Sequence, residues 1–139
     1  SFFFCLYLFF FAIFFFNILF VSLVTILSNS CLSYVGGFLS FLDIFSVLFS
    51  PIINVYTNTM IFKCRDRFIL STGHTAAIVY SALANLGFYP KKWLSTFIQD
   101  GTKLPGHIDH KVPGVEFSTG SLGHGLSVGL GMARSLISL

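Results

Sequence analysis

Apolar residues run almost unbroken through residues 1–27, SFFFCLYLFFFAIFFFNILFVSLVTIL, with no charge among them. About 20 apolar residues suffice to cross a bilayer, so the run predicts a transmembrane or anchoring helix. Residues 38–50, FLSFLDIFSVLFS, place Ser40, Asp43, Ser46 and Ser50 three and four apart. That spacing draws a narrow polar stripe on a helix buried on most sides, and Pro51 stops it. Residues 54–58 read as a surface connection before Arg65-Asp66-Arg67. Phe68, Ile69 and Leu70 form a short apolar run that predicts a buried strand, and Ser71 is placed to cap a helix over residues 74–86. Gly87 suits a left-handed stop, and Pro90 suits the first turn of a helix containing Lys91, Lys92 and Trp93. Gly, Pro and polar residues fill 99–120, predicting a long functional loop. A last helix should begin near Ser121, with Ser118 and Thr119 as its caps. Its Gly125 and Gly129, four apart, leave one face bare for close backbone packing inside an α/β core.

Charge divides the chain in two. Hydrophobic residues make up 55% and charged residues 9%, against about 25% charged in soluble domains. Asp43 is the only charged residue before Lys63, and all eight Lys and Arg lie from Lys63 onward. Residues 1–30 therefore separate from residues 31–139. Ten of the first twenty residues are Phe, which leaves three readings open: a membrane segment, a misread frame through T-rich DNA, or a buried soluble helix. A secretory signal is disfavoured by the lack of a basic n-region and of an A-x-A cleavage site. The net charge of +3 is scattered, so nucleic acid is not expected as a partner. Cys5, Cys31 and Cys64 match neither a zinc pattern nor a disulfide framework and read as reduced thiols.

Three segments could carry chemistry. Ser71-Thr72-Gly73-His74 stands at a predicted strand-to-helix junction, where free N–H groups can hold a phosphate and glycine lets a ligand approach; a histidine that merely packs there is the plainer reading. Pro105-Gly106-His107-Ile108-Asp109-His110 exposes two histidines and an aspartate on a turn. Its spacing does not suit zinc, whereas a histidine that hydrogen-bonds a substrate hydroxyl or shuttles a proton does suit it, beside the reading of a plain solvated loop. Ser118-Thr119-Gly120-Ser121-Leu122-Gly123-His124-Gly125 is a Gly-rich turn entering a helix, the arrangement that cradles a diphosphate. It is neither a P-loop nor a GxGxxG fingerprint.

These segments, together with Arg65-Asp66-Arg67-Phe68-Ile69-Leu70 and Pro113-Gly114-Val115-Glu116, resemble transketolases, above all the separately encoded N-terminal subunits of split enzymes. The resemblance is strong over about 75 residues and reaches back weakly to Gly36-Gly37 and Leu42-Asp43-Ile44. It implies an α/β thiamine-diphosphate-binding fold, a parallel sheet between helices, of which the mostly helical N-terminal part is present. By the same resemblance, His74 lies near the cofactor diphosphate and the reaction centre, His107 contacts the sugar, and Gly120 and Leu122 line the cofactor pocket through their backbone. The implied activity is transfer of a two-carbon ketol unit between sugar phosphates; a deoxyxylulose-phosphate synthase-like piece and a non-catalytic membrane-anchored remnant are the alternatives.

Tyr34 stands where the family usually has His, and His124 where it has Gln. Leu139 comes before the Gly-Asp-Gly and later Asn that hold Mg²⁺ in the family, so metal ligands are not expected in this chain. The expectations that follow are a fragment inactive alone, a C-terminal transketolase subunit or domain as partner, and a homodimer or heterotetramer when complete. A cytoplasmic transketolase part is expected, with membrane contact if residues 1–30 are translated.

Overall fold

The computed structural model describes residues 2–30, 35–55 and 65–138, with side chains from Leu6 onward and excepting Pro51. Tyr34, Cys31, Cys64 and most of the predicted 54–58 connection lie outside these residues. Among the described residues four α-helices carry the fold: α1 (Phe2–Asn29), α2 (Val35–Val47), α3 (Ala76–Asn85) and α4 (His124–Ile137).

The centre is α3, whose residues 76–84 are all buried. Alanine at 76, 77, 82 and 84 keeps this helix thin, so neighbours approach from every side. Helices α1 and α2 pack against it and against each other. From α1 the buried residues are Phe15, Leu19, Ser22, Leu23 and Ile26, one stripe at helical spacing. The Asn85 amide donates to Ser22 Oγ at 2.8 Å and ties α3 to α1. None of residues 6–14 of α1 is buried, so the apolar run divides into a packed half and a bare half.

The predicted second helix is found, but it is not buried on most sides. Phe38, Leu42, Phe45 and Ser46 face the core, while Leu39, Asp43, Ile44 and Val47 face outward. Ser46 is buried yet satisfied, because its hydroxyl donates to the Asp43 carbonyl at 2.7 Å. Pro51 does not cut the helix short. Lacking an N–H, it is accommodated in a wide π turn over Leu48–Ile52 that closes with Ile53 N–H to Leu48 O at 2.9 Å.

The expected strand at 68–70 does not form: among the described residues, 66–70 take no regular secondary structure and join no ladder. Instead, the Phe68 ring packs edge-on against Phe45 and Phe49 at 5.4 and 5.1 Å. The Leu70 carbonyl accepts the Thr119 hydroxyl. A segment becomes a strand only with a paired neighbour, and here a side chain takes the acceptor.

Helix α3 is preceded by a 3₁₀ turn over Gly73–Thr75, and Gly87 follows at φ 87° as the left-handed stop. Pro90, at φ −63°, leads into a 3₁₀ segment over Lys91–Thr96 rather than an α-helix. Residues 97–123 then run as turns and loop, as their Gly and Pro content predicts.

Candidate functional site

Gly73 is the point on which the three candidate segments meet. Its carbonyl accepts the Ile108 N–H at 3.0 Å, which fastens the loop bearing His107 to the turn bearing His74. On its other side the chain near Thr119 comes so close that a Cβ on Gly73 would lie 2.0 Å from the Thr119 carbonyl oxygen. Only glycine permits that approach, for want of a side chain rather than for an unusual φ. The close neighbour is protein backbone, so this glycine serves the joining of two loops.

Helix α4 is seated by an equally close contact. A Cβ on Gly125 would stand 3.0 Å from Ser71 Cβ, and the Gly125 N–H donates to Ser71 Oγ at 3.1 Å. Ser71 therefore satisfies a first-turn N–H of α4, not the start of the helix that follows it in sequence. Ser118 and Thr119 do not cap α4 either, because each is used elsewhere. Thr119 is buried and donates to Leu70 O, and Ser118 Oγ accepts the His110 N–H at 2.8 Å. The helix starts at His124 behind Gly123, at φ 84°, with no side-chain cap. The close backbone approach expected at Gly125 and Gly129 is present at Gly125 but not at Gly129, where a Cβ would make only an ordinary 3.7 Å contact with Ile69 Cδ1.

Around this junction His74 is half-buried in its 3₁₀ turn and His107 is exposed. Gly120, Ser121, Leu122 and Gly123 are all exposed and lead into the α4 N-terminus. The space above Gly120 is open, since a Cβ built there meets nothing within 4 Å. A 14-residue helix presents partial positive charge at this end, although its first N–H groups are taken: His124 donates to Ser121 O, Gly125 to Ser71 Oγ and Leu126 to Gly123 O. The residues that could meet an anionic group here are those of the Gly120–Gly123 stretch, through their backbone N–H groups on the open side of the turn.

The His107 loop is held by a buried network. Tyr80 OH donates to the His107 carbonyl at 3.0 Å, and the Asp109 N–H donates to Tyr80 OH at 3.3 Å. Burial pushes the Tyr80 phenol well above its ordinary range, which keeps it a neutral donor. Tyr89 OH donates in turn to the Tyr80 carbonyl at 2.8 Å. At the loop's far end the Lys111 N–H holds the Asp109 carboxyl below the usual carboxylate range, and the Ser118 hydroxyl assists. His110 Nδ1 lies 2.8 Å from Ser118 Oγ. Its imidazole is thus turned to the glycine-rich turn's approach, and among the described residues no group of three His, Cys, Asp or Glu side chains gathers as a metal site.

Two motifs of the sequence prove structural. Glu116 receives both Arg65 and Arg67, the latter at 3.0 Å, with the Arg65 and Glu116 side chains only 6% and 8% exposed. Nothing in the spacing of Arg65-Asp66-Arg67 announced that its partner stands 49 to 51 positions downstream. Gly114, at φ 90°, is wedged where a Cβ would meet Phe88 Cδ1 at 2.7 Å and Leu83 Cδ2 at 2.8 Å. Pro113-Gly114-Val115-Glu116 accordingly braces the site from behind.

Residues 21–138 match the family described as transketolase, thiamine diphosphate binding domain. One subunit of the apulose-4-phosphate transketolase of Actinobacillus succinogenes is 43% identical over 101 residues, covering 72% of this chain and 37% of that protein. Its counterpart in Phocaeicola vulgatus is 40% identical over 113 residues, 81% of this chain and 40% of that protein. The chain thus spans about two fifths of the length of these relatives. Among solved structures, transketolase from Leishmania mexicana superposes with a TM-score of 0.74 at 28% identity, over 84% of this chain and 18% of that one.

Proposed function

Since the chain belongs to the transketolase family through its thiamine-diphosphate-binding domain, and its helices are the helical leading part of that fold, we propose that it supplies the diphosphate-holding face of a ketol-transfer site. The observation that carries this reading is the junction at Gly73, which brings His74, His107 and the open Gly120–Gly123 turn to one place. Backbone N–H groups of the turn before α4, including those of Gly120 and Leu122, hold the diphosphate. His74 stands half-buried beside it, and exposed His107 is free of the core to meet a hydroxyl of a sugar phosphate. When bound, thiamine diphosphate supplies the carbanion that takes up a two-carbon ketol unit. The chain's own residues orient that group and shield one side of it.

Two relatives that are themselves named as single subunits of a transketolase support a partner that completes the site. Among the described residues no side chains gather as metal ligands, and Mg²⁺ is to be supplied with the cofactor in any test.

Thermal unfolding of the full chain, with and without thiamine diphosphate and Mg²⁺, tests the reading. A ligand at about 100 times its Kd adds about 2.7 kcal/mol to the folded state, enough to raise the midpoint by several degrees. A Gly120→Val variant should fold normally and lose the shift, since its side chain fills the space above the turn. A midpoint that does not move at millimolar cofactor, with the native near-ultraviolet signal intact, refutes the proposal.

A further inference from the structure

Helix α1 takes no part in the proposed site, and its two halves differ. Residues 15–26 bury Phe15, Leu19, Leu23 and Ile26 against the body. Residues 6–14 bury nothing: Tyr7, Phe9, Phe10 and Phe14 are each more than 60% exposed. This bare half has no polar face to offer water, since residues 2–16 contain no charged, amide or small hydroxyl side chain. The first such residue, Asn17, turns its amide back to the Ile13 carbonyl at 2.8 Å. Helices apolar on all sides are found in protein cores or in lipid.

We propose that the N-terminal half of α1 inserts into an anionic membrane and anchors the chain to it. Packing sets how much of α1 is free to enter lipid, because Phe15, Leu19, Leu23 and Ile26 stay buried against the body. The 24-residue stretch Leu6–Asn29 is long and apolar enough to cross. To do so it must leave the core, stripping the faces of α2 and α3 that Leu19, Leu23 and Ile26 cover.

Charge selects lipid over a second copy of the chain. Lys91 and Lys92 are exposed in the 3₁₀ segment packed beside α1. Lys91 lines a groove that runs along α1 from Phe14, the last residue of the bare half, to Thr25. No acidic residue lines that groove, and α1 contains none. A second α1 would bring lysines without carboxylates to meet them; anionic headgroups meet them directly while the Phe-rich tip enters the acyl region.

Flotation of the full chain with phosphatidylcholine vesicles, and with the same vesicles containing phosphatidylserine, tests the anchor. The wild type should float with both and more strongly with the anionic vesicles. Phe10→Asp with Phe14→Asp should lower partition into both by about tenfold or more. Lys91→Glu with Lys92→Glu should remove the anionic preference, about tenfold, and leave neutral binding unchanged. All four side chains are exposed, so folding is expected to persist and is checked by circular dichroism. A wild type that stays unfloated, folded variants that float as it does, or a lipid-free dimer disrupted by the Phe10/Phe14 changes with no flotation, would each overturn the proposal.

Discussion

Replacing Gly73 by alanine adds one methyl group at the junction of the three site segments, and the structure sets the consequence. The new Cβ would lie 2.0 Å from Thr119 O and 2.8 Å from Thr119 C. An ordinary contact of about 3.2 Å requires a shift of roughly 1 Å or more in backbone on one side or the other. Two bonds oppose it: the Thr119 hydroxyl to Leu70 O, and the Ile108 N–H to Gly73 O at 3.0 Å. Overpacking costs about 1–3 kcal/mol, and a broken buried hydrogen bond about 1–3 kcal/mol more. A loss of about 2–6 kcal/mol follows, a large share of the stability of a domain this size. Urea unfolding followed by far-ultraviolet circular dichroism measures it, with Gly120→Ala as the control. At Gly120 a Cβ meets nothing within 4 Å, so its change should stay within about 0.5 kcal/mol. Were Gly73→Ala to lie within about 1 kcal/mol of the wild type, little more than a surface change, the close approach of the two loops would be wrong, and with it the convergence on which the site rests.

Glu116→Gln should cost about 3 kcal/mol, because it leaves the nearly buried Arg65 without its carboxylate, whereas Arg67→Ala, at a more exposed partner, should cost about 1 kcal/mol or less; denaturation midpoints of the two variants separate them. Ser71→Ala removes the acceptor of the Gly125 N–H and should cost about 1 kcal/mol, with faster hydrogen exchange in the first turn of α4. The Asp109 carboxyl is held below its ordinary range in the folded chain, so the unfolded chain binds its proton more readily. Its stabilisation is therefore fully present above the ordinary carboxylate range and is lost as pH falls through the depressed folded value. Asp109→Asn should flatten that acid limb of the stability profile, and an unchanged limb would contradict the role of the Lys111 N–H.

Much of the local structure was legible without coordinates. The helix over 74–86, its stop at Gly87, the loop over 99–120 and the bare glycine face of the last helix all follow from rules that operate within one or two turns of chain. The motif segments bearing His74, His107, Gly120 and Leu122 likewise marked themselves by residue type. What the linear pattern could not assign was the partner of each polar group. Ser71, Ser118 and Thr119 are all credible local caps, yet Ser71 and Thr119 spend their oxygens on segments some fifty residues away and Ser118 accepts from His110 in the preceding loop. A hydroxyl gains about as much from one backbone group as from another, so the choice belongs to whatever the fold brings near. The same holds for Glu116, whose two arginines are some fifty residues away.

Apolarity has a similar limit. The sequence by itself marked residues 1–27 and 38–50 as apolar helices, because composition and periodicity are properties of neighbours along the chain, and helices stand over Phe2–Asn29 and Val35–Val47. Only the tertiary structure decided that α1 buries one stripe, from Phe15 to Ile26, and leaves residues 6–14 bare, that α2 covers one face alone, and that the 68–70 run joins no ladder. Burial and strand pairing are relations between segments far apart in sequence, and their free energy exists only once the chain has brought a covering surface or a ladder partner into place.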